Sequence, residues 1–411
     1  MKILMSAFAC DPAQGSEWGI GWTWARQLAK LGHDVCVLTR ERFRASIEAT
    51  LSTQDIPNLR FIYMDVRRVP YKVPIFGVYL YYFAWQLKAY LLAGQLVTLK
   101  DLDCIHHITY ASCRTPFFLS WLPVPSILGP VGGGEMAPLR LTKGMSIRGK
   151  IHEYARTGAN LLGSLAPISR FVWQHPALIL ATTEETLKLV PLKYRFKSRI
   201  LPNITTPAAT SDARLSRQRT GDKFRVLFVG RLLDWKGPHL AIRALSIARQ
   251  AVPEISLSII GDGHCASRLR TLVATEGLEK HVEWVPRIAR EQVLEEYDKH
   301  NVLILPSLHD SGGTVVLEAL SRGVPVICLK LGGPGLLVDS SCGACVDTEG
   351  RSVEELIQSI ADELIRFSSM PQPEIEALRQ AAYERAEQFR VGEVVGKAYS
   401  WFAEMTSVPA P

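Results

Sequence analysis

A chain of 411 residues, 47% hydrophobic and 21% charged, has the length for two or three domains with large cores and is neither disordered nor fibrous. The net charge of +7 is unevenly held: residues 1–200 carry 24 Lys+Arg against 13 Asp+Glu, and residues 201–411 carry 23 against 27. A basic amino-terminal half suits an anionic partner. No zinc-finger spacing or Arg-rich, aromatic-interleaved motif accompanies it, so an anionic membrane surface or a lipid-linked acceptor is expected, and nucleic acid is not.

Met1-Lys2-Ile3-Leu4-Met5 reads as the start of a strand, Lys2 to Phe8, because the apolar run is too short for a signal peptide and Asp11 follows it. The exit loop carries Gly15, Gly19 and Gly21 and opens a helix from Trp22 to Leu31. Its spacing is G-x-x-x-G-x-G, not the dinucleotide G-x-G-x-x-G, and basic Arg40 ends the next strand where an acid would hold a ribose, so a nicotinamide cofactor is disfavoured. After a strand at Asn58 to Asp65 comes an uncharged, aromatic-rich run, Val73 to Leu87, of 15 residues. That is short of the ~20 a membrane span needs, and its aromatics suit a half-buried helix or an interfacial contact.

Cys104 to Ile108 is a strand ending in His106 and His107, of which alternation turns one inward and one outward. Another strand runs from Pro125 into Gly129-Pro130-Val131-Gly132-Gly133-Gly134-Glu135, where three consecutive glycines imply close approach of a ligand or a second backbone. Asp101-Leu-Asp103 precedes its strand instead of ending one, and reads as a solvated strand start, not a metal motif. A first domain therefore spans 1–203, an aperiodic linker 204–221, and a second domain 222–392, with a final helix near 393–411 expected to return to the first domain.

The second domain repeats the alternation of strand and helix. Its first strand ends at Gly230-Arg231-Leu232-Leu233-Asp234-Trp235-Lys236-Gly237, and the next at Gly261-Asp262-Gly263. Val302 to Leu305 is a buried strand, followed by Asp310-Ser311-Gly312-Gly313-Thr314, a helix and a second strand at Val324 to Leu329, which makes a βαβ unit. Ligands bind such units where strand end meets helix start, and amides of Gly312, Gly313 and Thr314 would face an anion there. Asp310 and Glu318 frame the loop. Carboxylates repel phosphate but accept hydrogen bonds from hydroxyls, so phosphate donors between two hydroxyl readers describe a nucleotide-sugar pocket. The eight cysteines lie scattered, several within apolar strands (Cys36, Cys104, Cys328), as reduced thiols do in a cytoplasmic protein. Cys342-Gly-Ala-Cys345 lacks the second ligand pair that zinc needs.

These elements, Gly230-Arg231-Leu232-x-x-x-Lys236-Gly237, Gly261-Asp262-Gly263, and Asp310-x7-Glu318 with its following Ala319-Leu320-x-x-Gly323-x-Pro325, resemble the carboxy-terminal half of family 4 retaining glycosyltransferases. Gly15-Ser16-Glu17-x-Gly19-Ile20-Gly21-Trp22 and Gly129 to Glu135 resemble a bacterial polysaccharide-biosynthesis branch of that family. The resemblance implies an α/β chain of GT-B fold, two doubly wound Rossmann-like domains facing a central cleft, with the donor nucleotide sugar on the carboxy-terminal side. It implies that Arg231 and Lys236 neutralise the donor diphosphate with the Gly312, Gly313 and Thr314 amides and no metal. Glu318 would accept from the ribose, Asp310 from the transferred sugar, and Gly15, Gly19, Gly230 and Gly261 would let backbone approach the donor.

Departures are Asp310 where the family has Glu, Gly312 where it has an aromatic, and Gly129-Pro130 where it has a histidine; His107 and Glu135 remain as acceptor-side candidates. The expected activity is metal-independent transfer, with retention, from a nucleotide diphosphate sugar to a glycan or lipid-linked acceptor. No cofactor is expected beyond the donor, and the place of action is the cytoplasm or the inner face of the membrane. The alternatives are a nucleotide-sugar epimerase of the same architecture and a catalytically silent homologue that binds sugar nucleotides.

Overall fold

Parallel strands hide both faces beneath helices, so they are apolar throughout instead of alternating, and the inner strands of this chain are buried along nearly their whole length, while those at the sheet edges are partly exposed. The structure, a computed structural model, describes residues 1–14, 17–66, 76–96, 101–165, 167–206 and 223–407. It divides into two units, Met1–Gly134 with Ala159–Ile204 and Val391–Pro411, and Glu135–Gly158 with Thr205–Arg390. Gly15 and most of the expected linker 204–221 lie outside the described residues.

In the first unit β1 (Lys2–Ala7), β2 (Asp34–Thr39), β3 (Leu59–Tyr63), β4 (Cys104–Thr109), β5 (Ser126–Val131), β6 (Leu178–Ala181) and β7 (Ser198–Ile200) form one parallel sheet, ordered β3-β2-β1-β4-β5-β6-β7. In the second, β8 (Arg225–Val229), β9 (Ser256–Ile260), β10 (Val282–Val285), β11 (Val302–Leu305), β12 (Val326–Leu329) and β13 (Gly343–Val346) form another, ordered β10-β9-β8-β11-β12-β13. Each sheet is doubly wound, with its strand order reversing between β1 and β4 or between β8 and β11. The crevice outside the carboxyl ends of such a strand pair is where this architecture receives ligands.

All six residues of β4 are buried, which corrects the alternation expected of the histidine pair. His106 points to one face, where its Nδ1 lies 3.0 Å from the Tyr399 hydroxyl of helix Val391–Ser407. His107 points to the other, within 3.0 Å of Ser6 Oγ and 2.6 Å of the Tyr82 hydroxyl on helix Phe76–Leu96. That helix realises part of the aromatic run; residues 73–75 of the run are not among those described. Its inner face sets Tyr82 and Trp85 edge-on to Phe8, at 4.9 and 5.3 Å, while Tyr79, Leu80, Phe83, Leu87 and Leu91 are exposed. Among the described residues no helix is long and apolar enough to cross a membrane.

The segment Glu135–Gly158, which the sequence reading places in the amino-terminal domain, belongs to the second unit. Polar contacts account for its allegiance. Ser146 donates its amide and hydroxyl to Asp234, at 2.9 and 2.6 Å, and Arg140 donates to the Thr348 carbonyl at 2.6 Å.

Candidate functional site

β8 and β11 are neighbours in register, so the loops that leave them emerge side by side. The β8 loop ends in a tight turn, Asp234–Lys236, closed by Gly237 at φ 71°. A Cβ at Gly237 would sit 2.1 Å from the Pro306 carbonyl oxygen, so this position needs glycine both for its left-handed backbone and for the approach of the β11 loop. The two loops are stitched together: Leu308 N–H donates to the Trp235 carbonyl at 2.7 Å, and Ser307 Oγ donates to the same oxygen at 3.3 Å. The β9 exit joins them, because Gly261 lies against the Gly230 carbonyl, where a Cβ would fall 2.0 Å away. The β12 exit does so too, with Gly333 N–H on the Asp310 carbonyl at 2.7 Å.

Lys236 and Asp310, 74 residues apart, meet in this junction as an ion pair through Nζ and Oδ2. Both are largely buried, with side chains 20% and 16% exposed, so solvent screens the pair only in part. Asp310 Oδ1 accepts the Gly312 N–H at 3.2 Å, so that amide faces inward to the carboxylate and not outward as expected. The Gly313 and Thr314 amides, at the start of helix Thr314–Ser321, find no acceptor among the described residues. The guanidinium of Arg231 is exposed and also makes no hydrogen bond among them. One paired and one unpaired cation, with two open amides, favour an anion at this edge.

Glu318 is buried on the same helix and held by two groups that sequence reasoning missed. Arg290 Nε donates to Oε1 at 2.9 Å and the Tyr297 hydroxyl to Oε2 at 3.3 Å. Burial raises its carboxyl above the ordinary range, against the pull of Arg290 and Tyr297. The site therefore offers hydroxyls a carboxylate already fixed in orientation.

A second missed group braces the junction. Trp235 is stacked between His152, at 4.9 Å and 12°, and His309, at 5.4 Å and 15°. Glu153, fully buried beneath, accepts from His309 Nε2 at 3.0 Å and lies 3.1 Å from His152 Nδ1. Burial opposes ionisation of Glu153, but the two histidines outweigh it and hold its carboxyl below the ordinary value. Trp235 precedes Lys236 and His309 precedes Asp310, so the stack fixes the two backbones that carry the ion pair. Glu153 and His309 are 156 residues apart, and no periodicity or spacing links them.

The remaining expected residues fall elsewhere. His107 is a core histidine of the first unit, its ring ringed by Ser6, Tyr82 and Gln86, and burial lowers its pKa to about 3. An acceptor-side role for it is thereby corrected: no open ring edge is left. Glu135 is buried in the second unit, its carbonyl accepting Arg156 Nε at 2.9 Å and its carboxylate 3.7 Å from Arg156 Nη2. Gly19 admits the Gln14 carbonyl, and Gly134 admits the Thr186 backbone, so both serve close approach within the fold.

Residues 211–385 match the family described as Glycosyl transferases group 1. A D-inositol 3-phosphate glycosyltransferase of Pseudarthrobacter chlorophenolicus is 33% identical over 147 residues, covering 33% of this chain and 35% of that protein. A GDP-mannose-dependent alpha-(1-6)-phosphatidylinositol monomannoside mannosyltransferase of Mycolicibacterium smegmatis is 28% identical over 255 residues, 58% of this chain and 64% of that one. The chain thus spans about a third and just under two thirds of the lengths of these relatives. Among solved structures, Anabaena Alr3699/HepE in complex with UDP superimposes with a TM-score of 0.60 at 18% identity, over 98% of this chain and 100% of that one.

Proposed function

We propose, from the match of residues 211–385 to the group 1 glycosyl transferases and a GT-B fold of two Rossmann-like units, that the chain transfers a sugar from a nucleotide diphosphate sugar to a glycan or lipid-linked acceptor. The proposed transfer retains configuration and uses no metal. One observation carries it: Lys236 and Asp310 meet at the shared edge of β8 and β11, beside the open amides of Gly313 and Thr314.

When the sugar–phosphate bond breaks, negative charge accumulates on the departing diphosphate. On this reading Lys236 and Arg231 neutralise that charge together with the two amides, which supplies what a divalent cation supplies elsewhere. Glu318, held by Arg290 and Tyr297, accepts from the ribose hydroxyls, and Asp310 accepts from hydroxyls of the moving sugar. Neither His107 nor Glu135 is carried forward as an acceptor-side group. The relative that uses GDP-mannose and the structural neighbour that holds UDP make guanine and uracil the first bases to test.

Glu318→Gln keeps the shape but removes the charge that Arg290 faces. Its donor KM is expected to rise about tenfold, near 1.4 kcal/mol, with kcat nearly unchanged, because ribose contacts serve ground and transition states alike. Steady-state kinetics with a UDP- or GDP-sugar panel reads this; an unchanged KM would remove Glu318 from the donor site. Sugar release or epimerisation of the donor without any acceptor would replace transfer with the epimerase reading.

For the acceptor we propose contact with an anionic membrane in the cytoplasm, made by the basic first unit. Leu80, Phe83, Leu87 and Leu91 form an exposed stripe at helical spacing on Phe76–Leu96, and Trp121 and Phe171 extend it on neighbouring elements. Co-sedimentation with vesicles containing phosphatidylglycerol is expected for the native chain and lost for Phe83→Glu/Leu87→Glu. Equal partition of both proteins would leave the stripe without this role.

A further inference from the structure

Helix Pro238–Ala248 begins immediately after the Lys236 turn, and its first turn places His239 against a cavity of about 230 Å³. Gly144, Arg243, Arg268, Leu269 and Thr275 complete most of the lining, and no carboxylate lines it among the described residues. His239 is 2% exposed, yet neither ring nitrogen has a hydrogen-bond partner, an expensive condition for a buried imidazole. Arg268 donates through Nη1 to the Gly144 carbonyl and through Nη2 to Asp234, each at 2.5 Å, while its buried Nε has no acceptor. The guanidinium of Arg243 makes no hydrogen bond among the described residues.

These groups converge. A Cβ built on Gly144 would lie 3.7 Å from His239 Nε2 and 4.0 Å from Arg243 Nη1, so both side chains reach the space that the missing side chain leaves. The two carboxylates whose charge is felt here are otherwise engaged, Asp234 by Ser146 and Arg268, and Glu354 by Lys143 at 2.6 Å. Arg243 and the unused Nε of Arg268, beside an imidazole that burial keeps neutral and that has no partner, with Asp234 already taken up by Ser146 and Arg268, form the complement of a tetrahedral oxyanion.

We propose that this cavity binds a phosphoryl dianion, with Arg243 and His239 donating to its oxygens and Arg268 completing the cradle. The ligand is either free phosphate or a phosphate monoester; the apolar wall of Leu269 and Leu272 leaves room for the ester's carbon side. Arg268 links the cavity to Asp234, two residues before Lys236, so occupancy tightens the turn that carries the proposed donor cation. The binding site stands whether or not the transfer reading holds.

The test is thermal shift and calorimetry with inorganic phosphate and, separately, glycerol 3-phosphate, against chloride at equal ionic strength. The native chain is expected to show a saturable upward shift with at least one of them, which also identifies the source. Arg243→Gln is expected to weaken that affinity at least tenfold while leaving the shift caused by a nucleoside diphosphate intact, and Lys236→Ala to show the reverse pattern. His239→Gln, which keeps a donor, serves as the second variant where Arg243→Gln lowers basal stability. No saturable shift with either compound, or the same phosphate affinity in the native chain and both pocket variants, would overturn the proposal.

Discussion

Lys236→Ala is expected to lower kcat/KM by about two to three orders of magnitude, the usual loss when one fixed donor to a developing anion is removed. The fall should appear in kcat more than in KM, since charge on the leaving diphosphate is larger in the transition state than in the bound donor. Stability should change by no more than about 1 kcal/mol, because the Lys236–Asp310 pair still meets solvent. A double-mutant cycle with Asp310→Asn separates two roles. If Lys236 only holds Asp310 in place, the second substitution adds nothing; if each contacts its own part of the donor, the losses accumulate. A loss under fivefold for Lys236→Ala would contradict the proposed neutralisation.

The second large effect is on folding. Asp234 is fully buried and accepts from Ser146 N, Ser146 Oγ and Arg268 Nη2, with His264 Nε2 at 3.3 Å. Asp234→Ala removes the partner of a half-buried guanidinium and frees the segment that Ser146 anchors. The expected cost is roughly 3–5 kcal/mol, a fall of roughly 10 °C in the melting of the second unit. Burial alone would raise the Asp234 carboxyl, but Ser146 and Arg268 outweigh it and hold it near a pKa of about 2, below the ordinary 3.8. The folded value is the depressed one, so this stabilisation is present above pH 4 and lost as pH falls from about 4 toward 2. It amounts to roughly 2 kcal/mol. Chemical denaturation across that range should show the slope in the native chain and lose it in Asp234→Asn. A parallel pH dependence for both would assign the acid sensitivity elsewhere.

What could be read beforehand was local. Gly230, Gly237, Gly261 and Gly313 mark strand exits because tight turns and close backbones tolerate little else, and the apolar runs between them are long enough only for buried strands. Two doubly wound sheets follow from that rhythm. What could not be read was long-range. A period of two turns one of His106 and His107 outward, a rule for sheets with one wet face, whereas β4 is covered on both. The sequence shows Glu318 as a carboxylate that accepts from hydroxyls, and nothing in its neighbourhood of the sequence points to Arg290 or Tyr297. The stack of His152, Trp235 and His309 joins three stretches that no repeat connects, and the allegiance of Glu135–Gly158 to the second unit depends on single polar contacts made far along the chain.

The Lys236–Asp310 contact also bears on how a spent donor departs. On the proposed reading, an intact nucleotide sugar takes both members of the pair, phosphate on the lysine and sugar hydroxyls on the aspartate. Once the sugar has gone, Asp310 is stranded beside a diphosphate that has gained a further negative charge, and within reach of its former partner. Re-forming the internal pair then competes with the retained diphosphate, so the protein carries its own displacing group for the by-product.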